Sequence, residues 1–250
     1  MKIRNIIVTF WFEKYSNIRD TFEKFNLELK EYFPAFNMIN LPSNVDPIIP
    51  RINARSRSGH SIINLSNINM QLTTNYDENY NEDFESCLSY IEERTKKIYN
   101  VMIENNFKIL YSAILVNLDR EVEDPIKEIK ENLLNKNLYD NSFSEVGMRA
   151  SMKLEDKFYK IITLNNSKDF TMKKEIKPGN IEIIMPLISL VDAELVREYI
   201  SINYELNDKY SFDKNKDYHN EKNVLEKMFD IVKKDLSHNI ENFIKEGKLN

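Results

Sequence analysis

Glycine is scarce in this sequence, because the chain of 250 residues contains only Gly59, Gly147, Gly179 and Gly247. Loops that hold phosphate, and the fingerprint loops that bind dinucleotides, need several glycines within about eight residues. The four glycines lie too far apart for this, so P-loop and Rossmann nucleotide sites are excluded. Asparagine is abundant, with thirty-two copies. It tolerates the left-handed backbone, so we expect it to occupy turn positions where glycine is missing.

Cysteine, histidine and long apolar runs are also scarce. The single cysteine, Cys87, excludes an internal disulfide and any zinc or iron–sulfur site with several cysteine ligands. No apolar run approaches about 18 residues, so no transmembrane helix is predicted. Three histidines disfavour a metal hydrolase, and neither a nucleophile elbow nor an HExxH motif is present. These features predict a cytoplasmic protein without a metal or cofactor, and none of them indicates an enzyme.

The net charge of −5 is unevenly distributed along the chain. Residues 1–60 carry nine Lys and Arg against six Asp and Glu, whereas residues 61–125 carry five against twelve. A protein that binds nucleic acid over its whole surface should be basic. This chain could therefore hold nucleic acid only through a local patch.

The apolar pattern of residues 1–122 predicts a ferredoxin-like βαββαβ unit, an antiparallel sheet with both helices on one face. Its predicted elements are a strand over 3–12, a helix over 18–33, a proline-rich loop over 34–50, a hairpin or three-stranded meander over 51–74 with a turn at Ser58 and Gly59, a helix over 82–105 and a strand over 107–118.

Residues 123–250 are predicted to form a second α+β subdomain, packed on the first, with an antiparallel sheet and a long C-terminal helix. A capping Asp124 followed by Pro125 begins its first helix. The remaining predicted elements are strands over 147–154 and 158–164, a polar loop over 165–179, strands over 181–191 and 195–206, a polar connection over 207–220 and a helix over 221–246.

A row of arginines is the most suggestive candidate site. Residues two apart in a strand share a face, so Arg51, Arg55 and Arg57 would project together, with Asn53 between them. Guanidinium groups suit bidentate contact with phosphate or carboxylate. With His60 after the turn, these residues are the predicted ligand- or partner-binding set. The alternative is a solvated sheet face whose arginines pair with helix carboxylates such as those of Glu92 and Glu93.

Two further motifs match known sites only in their spacing. Arg55 and His60 have the Arg-x4-His spacing of HEPN ribonucleases, which place that pair on a helix, but here the spacing spans a predicted turn. The alternation of oxygen-bearing residues after Asp213 resembles the start of a calcium loop. However, Tyr218 stands where such a loop needs glycine and Val224 where it needs glutamate. Neither motif predicts catalysis or a metal site.

The order of these elements, together with several short motifs, resembles a sporadically distributed family of bacterial proteins of about 250 residues. The residues that carry the resemblance are Ile62–Met70, Asn75 and Tyr76, Tyr80–Phe84, Ile114–Arg120, and His238 and Phe243 in the last helix. The chain has Ile114 and Leu115 where the family usually has Arg and Tyr before Asn117. The resemblance implies a genomic setting of mobile elements and defence islands. It implies no reaction and carries over no catalytic residue.

We therefore expect a non-enzymatic protein that holds a protein partner or a second copy of itself, as a component of a bacterial defence or toxin–antitoxin-like system. The alternative is an RNA-binding or RNA-processing protein that grips phosphates with the arginine strand. Two ferredoxin-like halves are similar to the architecture of some CRISPR endoribonucleases. Those enzymes usually carry a glycine-rich loop near the C-terminus, where this chain has only Gly179 and Gly247.

Overall fold

The computed structural model describes residues 1–42, 44–134, 144–172 and 193–247. Within these ranges, mixed α and β structure is built around one antiparallel sheet. Its strands are β1 Lys2–Phe12, β2 Ala35–Met38, β3 Ile52–Arg55, β4 Ser61–Leu65, β5 Asn69–Asn75, β6 Ile109–Glu121, β7 Gly147–Leu154, β8 Phe158–Met172 and β9 Ala193–Asn207. They lie side by side in the order β2-β3-β4-β5-β1-β6-β9-β8-β7.

The helices of the described ranges vary from one turn to six. They are a 3-10 turn at Ile18–Thr21, α1 Phe22–Glu28, α2 Phe84–Glu104, α3 Pro125–Leu133, α4 Lys209–Lys214, α5 Lys222–Lys234, a π-helical segment Asp235–Asn239 and α6 Ile240–Glu246. Two of them begin at acidic caps, since Asp83 accepts a hydrogen bond from the Ser86 amide and Asp124 one from the Lys127 amide.

Alternation along the strands sends apolar side chains to one face of the sheet, where most of the helices pack. Ile6, Val8 and Phe10 of β1 are fully buried in one hydrophobic cluster, while Ile7 and Thr9 between them are only half-buried. The same cluster includes apolar residues of α2, α5 and α6. Because burial of apolar area is the dominant favourable term in folding, this helix-covered face carries the core.

Two buried carboxylates tie the helix-covered face together. Asp208 accepts hydrogen bonds from the Ser112 amide, at 2.6 Å, and from the side chains of Tyr218 and Asn220, at 2.7 Å each. Burial raises the pKa of Asp208, although these hydrogen bonds oppose the change. The group is fully buried, so its partners replace the water that an ionised carboxylate would otherwise need.

Asp235, in the π-helical segment, forms the second buried polar centre. Its Oδ2 lies 2.7 Å from the Lys160 ammonium group and accepts a hydrogen bond from the Tyr204 hydroxyl at 2.6 Å, and its Oδ1 accepts one from the Asn239 amide at 2.7 Å. Lys160 on β8 is 4 % exposed and Asp235 is 3 % exposed. The pair therefore fixes the π-helical segment against the sheet.

Several predicted boundaries are wrong in informative ways. The predicted helix 18–33 is a 3-10 turn followed by α1, which ends at Glu28, although the apolar residues up to Phe33 are buried as its spacing requires. The predicted loops 34–50 and 207–220 contain β2 and α4, and residues 165–172 continue β8 as a strand. Edge pairing and tertiary contacts override local polarity in these segments. The predicted strand 181–191 lies outside the described residues.

The N-terminal half contains more strands than the predicted βαββαβ order. Its elements run strand, helix, four strands, helix, strand. Residues 51–74 form the three-stranded alternative of the prediction, β3 to β5, and β2 adds a strand by pairing with β3. At residue 122, between β6 and α3, the sheet itself is continuous, since β6 pairs with β9 from Ala113 to Glu121. The division into units 1–122 and 123–250 stays a prediction.

Left-handed backbone positions follow the expectation for a glycine-poor chain only in part. Gly59 and Gly247 have φ of 77° and 68°, and Asn106, just after α2, has φ of 62°. Glu155 and Asp156 also adopt positive φ, in the turn between β7 and β8. Asparagine thus replaces glycine after α2, while two acidic residues do so in the hairpin.

None of the helices in the described ranges is both long enough and apolar enough to cross a bilayer.

Candidate functional site

The face of the sheet opposite the core is the largest candidate site. It presents the strand residues that alternate with the core residues, such as Ile7, Leu115 and Ile161, which are half-buried. Within the described ranges, aromatic rings of α4 contact one end of this open face. Its nine strands range from four to fifteen residues and lie about 4.8 Å apart, so the sheet is about 40 Å across.

An amide-rich row crosses all nine strands of the open face, with each residue opposite the next in the strand register. From β2 to β7 its members are Asn37, Asn53, Asn64, Gln71, Thr9, Ala113, Asn207, Tyr159 and Lys153. The Asn37 amide donates to the Asn53 side-chain oxygen at 3.4 Å. Amides both donate and accept, so the uncharged amides of this row can bond a polar partner, and Lys153 at its end adds one positive charge.

A second row, the asparagine row, lies in the centre of the sheet. The Asn117 amide on β6 donates to the Asn5 side-chain oxygen on β1 at 2.6 Å, and the Asn203 amide on β9 donates to the Asn117 oxygen. Between the two polar rows lie half-buried aliphatic residues, among them Ile7 and Leu115. The centre of the open face therefore carries two hydrogen-bonding rows with aliphatic residues between them.

A charged cluster adjoins the asparagine row. Asp119 on β6 is 3 % exposed, and its Oδ2 accepts a hydrogen bond at 3.0 Å from the Arg197 guanidinium on β9. The Arg4 Nε lies 3.5 Å from Asp119 Oδ1, which accepts no hydrogen bond. Arg197 also donates to Asp169 at 2.7 Å and its guanidinium carbon lies 4.4 Å from the centre of the Tyr199 ring.

The pKa values of the two carboxylates of this cluster are shifted in opposite directions. Burial raises the pKa of Asp119, although Arg4 and Arg197 oppose the change. Burial also acts to raise the pKa of Asp169, but hydrogen bonds from Arg197 and Tyr199 outweigh it and lower that pKa. A buried carboxylate with a perturbed pKa can mark a functional site or a structural ion-pair network. Since Arg4 and Arg197 already face carboxylates, the structure gives this cluster a structural role.

Aromatic rings cover the end of the open face near α4. Trp11 on β1 stacks on Tyr111 of β6 with ring centres 5.9 Å apart, and Tyr111 contacts Phe212 of α4 at 5.6 Å. Tyr159 on β8 meets Tyr210 of α4 edge to face at 5.2 Å. Such rings give a large apolar contact area at low cost in side-chain entropy.

The five residues predicted as a site are spread over four places. Asn53 and Arg55 share the open face, because Ile52 and Ala54 of the same strand are buried, whereas Arg51 precedes β3 and lines a separate cleft. The row does not extend to Arg57, which lies in the turn after β3 and not in the strand. The sequence pattern placed the strand face correctly but extended it past the point where the chain turns.

Arg51 and His60 belong to separate cavities. The Arg51 guanidinium donates to the Asn67 side-chain oxygen at 3.1 Å and to the Val45 carbonyl at 3.0 Å, so its donors hold a loop. It lines a polar cleft of about 600 Å³. The His60 imidazole lies 3.9 Å from the Asp77 carboxylate, at a pocket of about 240 Å³ beside α2.

The expected pairing of the arginine row with Glu92 and Glu93 is wrong. Glu92 accepts hydrogen bonds from Lys233, at 2.6 Å, and forms an ion pair with Lys96 at 2.7 Å. The Glu93 carboxylate accepts a hydrogen bond from the Tyr32 hydroxyl at 2.7 Å. Both glutamates lie on α2, on the helix side of the sheet, so they face away from the strand surface that carries Arg55.

The single thiol of the chain is bound into the fold. Burial raises the pKa of the Cys87 thiol to about 12, and its Sγ donates to the Tyr80 carbonyl at 3.3 Å, so the thiolate does not form at neutral pH. Among the residues that the structure describes, no group of three or more His, Cys, Asp or Glu side chains could hold a metal ion.

Sequence reasoning missed the asparagine row and the charged cluster. A signal for both is present in β6, where Asn117 and Asp119 interrupt an otherwise apolar run at a spacing of two. Polar residues at that spacing share one face of a strand. The partners Asn5, Asn203 and Arg197 come from distant parts of the chain, and only the strand register brings them together.

The chain was compared with protein-family models and with curated proteins. Neither comparison gives a match.

Proposed function

We propose that this is a non-enzymatic binding protein that holds a protein partner on the open face of its sheet. The observation that carries the proposal is the face itself, where amide rows alternate with half-buried aliphatic residues such as Ile7 and Leu115, and with Trp11 at one end. Protein interfaces are enriched in aromatic residues and combine apolar contacts with hydrogen-bonding groups.

The charge of the face favours a protein over RNA. Its central strands carry the carboxylates of Asp119 and Glu205, and the guanidinium of Arg197 is already paired with acidic residues. Tight binding of RNA depends on neutralising phosphates with cations. Arg55 and Arg57 are exposed and remain the residues on which the RNA alternative depends.

The biological setting of the proposal comes from the family resemblance, which implies a bacterial defence or toxin–antitoxin-like system in the cytoplasm. We also propose that residues 1–122 are an elaborated ferredoxin-like unit and residues 123–250 a second α+β unit. In support, β4, β5, β1 and β6 are antiparallel neighbours in that order, and β2 and β3 extend the sheet beyond β4.

The test compares two aliphatic-to-lysine variants during purification from the native host. Leu115→Lys places a charge in the centre of the open face, whereas Ile103→Lys changes an exposed aliphatic residue on α2, on the helix side. We expect a stoichiometric protein partner to accompany the wild type and Ile103→Lys but not Leu115→Lys. Hydrogen exchange on the reconstituted complex should then show protection in β1 and β6.

Four outcomes would overturn the proposal. A monomer without a stoichiometric partner, with or without phage challenge, removes the binding role. A partner that Leu115→Lys retains places the interface elsewhere, and a dimer of this chain alone makes the occupant a second copy. RNA that is released by salt and lost in the Arg55→Ala, Arg57→Ala double variant establishes the alternative function.

A further inference from the structure

A pocket beside α2 is separate from the open face. It has a volume of about 240 Å³ and lies between the first turns of α2 and the ends of β4 and β5. Three tyrosines, Tyr76, Tyr80 and Tyr90, contribute to its wall, and His60 and Asp77 contribute polar atoms. Since a dry cavity of about 150 Å³ is enough to bind benzene, this pocket has room for a compact ligand.

Three polar groups of the pocket wall are already bonded within the protein. The Tyr76 hydroxyl donates to the Cys87 carbonyl at 2.7 Å, and the Cys87 Sγ donates to the Tyr80 carbonyl at 3.3 Å. The Thr74 hydroxyl is paired with that of Ser61 at 2.9 Å. A ligand would therefore contact ring faces and aliphatic atoms, and would need an apolar surface of its own.

The electrostatic surroundings of the pocket favour a cation. Asp77 lines it, and the segment that follows carries the exposed carboxylates of Glu78, Glu82 and Glu85. The N-terminus of α2, which would attract anions, is capped by the Asp83 carboxylate. Hydrogen bonds from Ser86 lower the pKa of Asp83, so this carboxylate keeps its negative charge.

The Tyr90 ring of the pocket wall already contacts a cation of the chain, Arg94, whose charge opposes a second cation. Tyr76, Tyr80 and Asp77 must therefore provide most of the attraction. The Arg94 guanidinium carbon lies 3.4 Å from the centre of the Tyr90 ring and 4.8 Å from that of Tyr32. Tyr76 meets Tyr90 edge to face with ring centres 6.4 Å apart. Clusters of aromatic rings with a nearby carboxylate are how proteins recognise alkylated ammonium groups, whose charge is spread over an apolar surface.

We propose that the pocket formed by Tyr76, Tyr80 and Tyr90, with Asp77 at its rim, binds an alkylated ammonium group. The ligand is either a free small quaternary amine or a methylated lysine side chain of a protein, which present the same trimethylammonium chemistry. This site is independent of the partner on the open face. The apolar methyl groups contact the rings, and Asp77 supplies the opposite charge.

The test titrates the full chain with choline and with its uncharged analogue, in which a tert-butyl group replaces trimethylammonium. The two ligands have the same shape, so their difference measures the effect of the charge. We expect choline to bind about tenfold more tightly, within the range that cation–π contacts in a desolvated site provide. Chemical shift changes should concentrate in residues 74–90. A trimethyllysine peptide titrated in parallel identifies the source, according to which of the two cations binds better.

Three variants complete the test. Tyr80 is 64 % exposed, so replacing it does not disturb the core. Tyr80→Ala should weaken choline binding about tenfold while Tyr80→Phe retains it, because the ring and not the hydroxyl is needed. Asp77→Asn should weaken choline but not the uncharged analogue. Equal affinity for the two ligands, or no binding of either cation by the folded chain, would overturn the proposal.

Discussion

The two faces of the sheet use polar residues in opposite ways. On the helix-covered face, Asp208 and Asp235 lie in two separate polar centres, each carboxylate being buried and surrounded by several donors. On the open face, Asn5, Asn117 and Asn203 form a row between neighbouring strands that are partly accessible. The donors on the helix-covered face are held by buried carboxylates, whereas the amides of the asparagine row are held by one another across neighbouring strands.

The largest expected effect comes from breaking the buried pair on the helix-covered face. Asp235→Ala leaves the Lys160 ammonium buried without its carboxylate, which costs about 3–5 kcal/mol in similar pairs. Urea unfolding monitored by circular dichroism measures this loss. The double variant Lys160→Met, Asp235→Leu should recover much of it, since apolar residues can replace a buried ion pair. A loss below 1 kcal/mol in the single variant would mean that water reaches the site.

Two adjacent residues of β6 give the most direct comparison of the faces. Ile114 is fully buried on the helix side, and Leu115 is half-buried on the open side. Ile114→Ala should lower the free energy of unfolding by about 2–5 kcal/mol through the lost apolar contacts and the cavity. Leu115→Ala should cost clearly less. Equal losses, measured by the same urea titrations, would mean that the open face is covered in solution as thoroughly as the other.

Sequence patterns predicted the core more successfully than the site. Alternation in residues 51–74 placed the buried residues of β3, β4 and β5 correctly, because alternation is a local property of a strand. The apolar run over residues 3–12 predicted a buried strand, and β1 is that strand, although its Ile7 and Trp11 are only half-buried. Edge strand β2 was missed, since four residues in a proline-rich segment carry too little pattern. The end of β8 was missed because its residues 165–172 are polar.

The candidate site depended on information that no local pattern contains. Asn117 and Asp119 are visible as interruptions in β6, but their partners on β1 and β9 are more than seventy residues away in the chain. The predicted arginine row failed at Arg57 for a local reason, since the turn at Gly59 begins earlier than alternation suggested. Strand order and register, which arise from the whole chain, determine which surface residues meet.

A smaller effect is expected from the asparagine row of the open face. Asn117→Ala removes one hydrogen bond to Asn5 and one from Asn203, and we expect it to lower the free energy of unfolding by about 1–2 kcal/mol. Asn64→Ala in the amide-rich row is the matched control and should stay within about 0.5 kcal/mol, as for most surface substitutions. If both variants lose the same free energy of unfolding, the hydrogen bonds of the asparagine row stabilise the fold no more than hydrogen bonds to water would.

The smallest expected effect is a difference in pH dependence within the charged cluster. The folded-state pKa of Asp119 is raised above 3.8, so the stability linked to its titration is fully present below pH 3.8 and is lost as the pH rises through the folded-state pKa. The pKa of Asp169 is lowered, so its contribution is present above pH 3.8 and is lost as the pH falls through its own folded-state pKa. Unfolding free energies of Asp119→Asn and Asp169→Asn, each measured against the wild type over a series of pH values, should therefore diverge with opposite slopes. Parallel slopes would show that Arg197 stabilises the two carboxylates equally, and that burial against the asparagine row does not distinguish Asp119 from its more exposed neighbour.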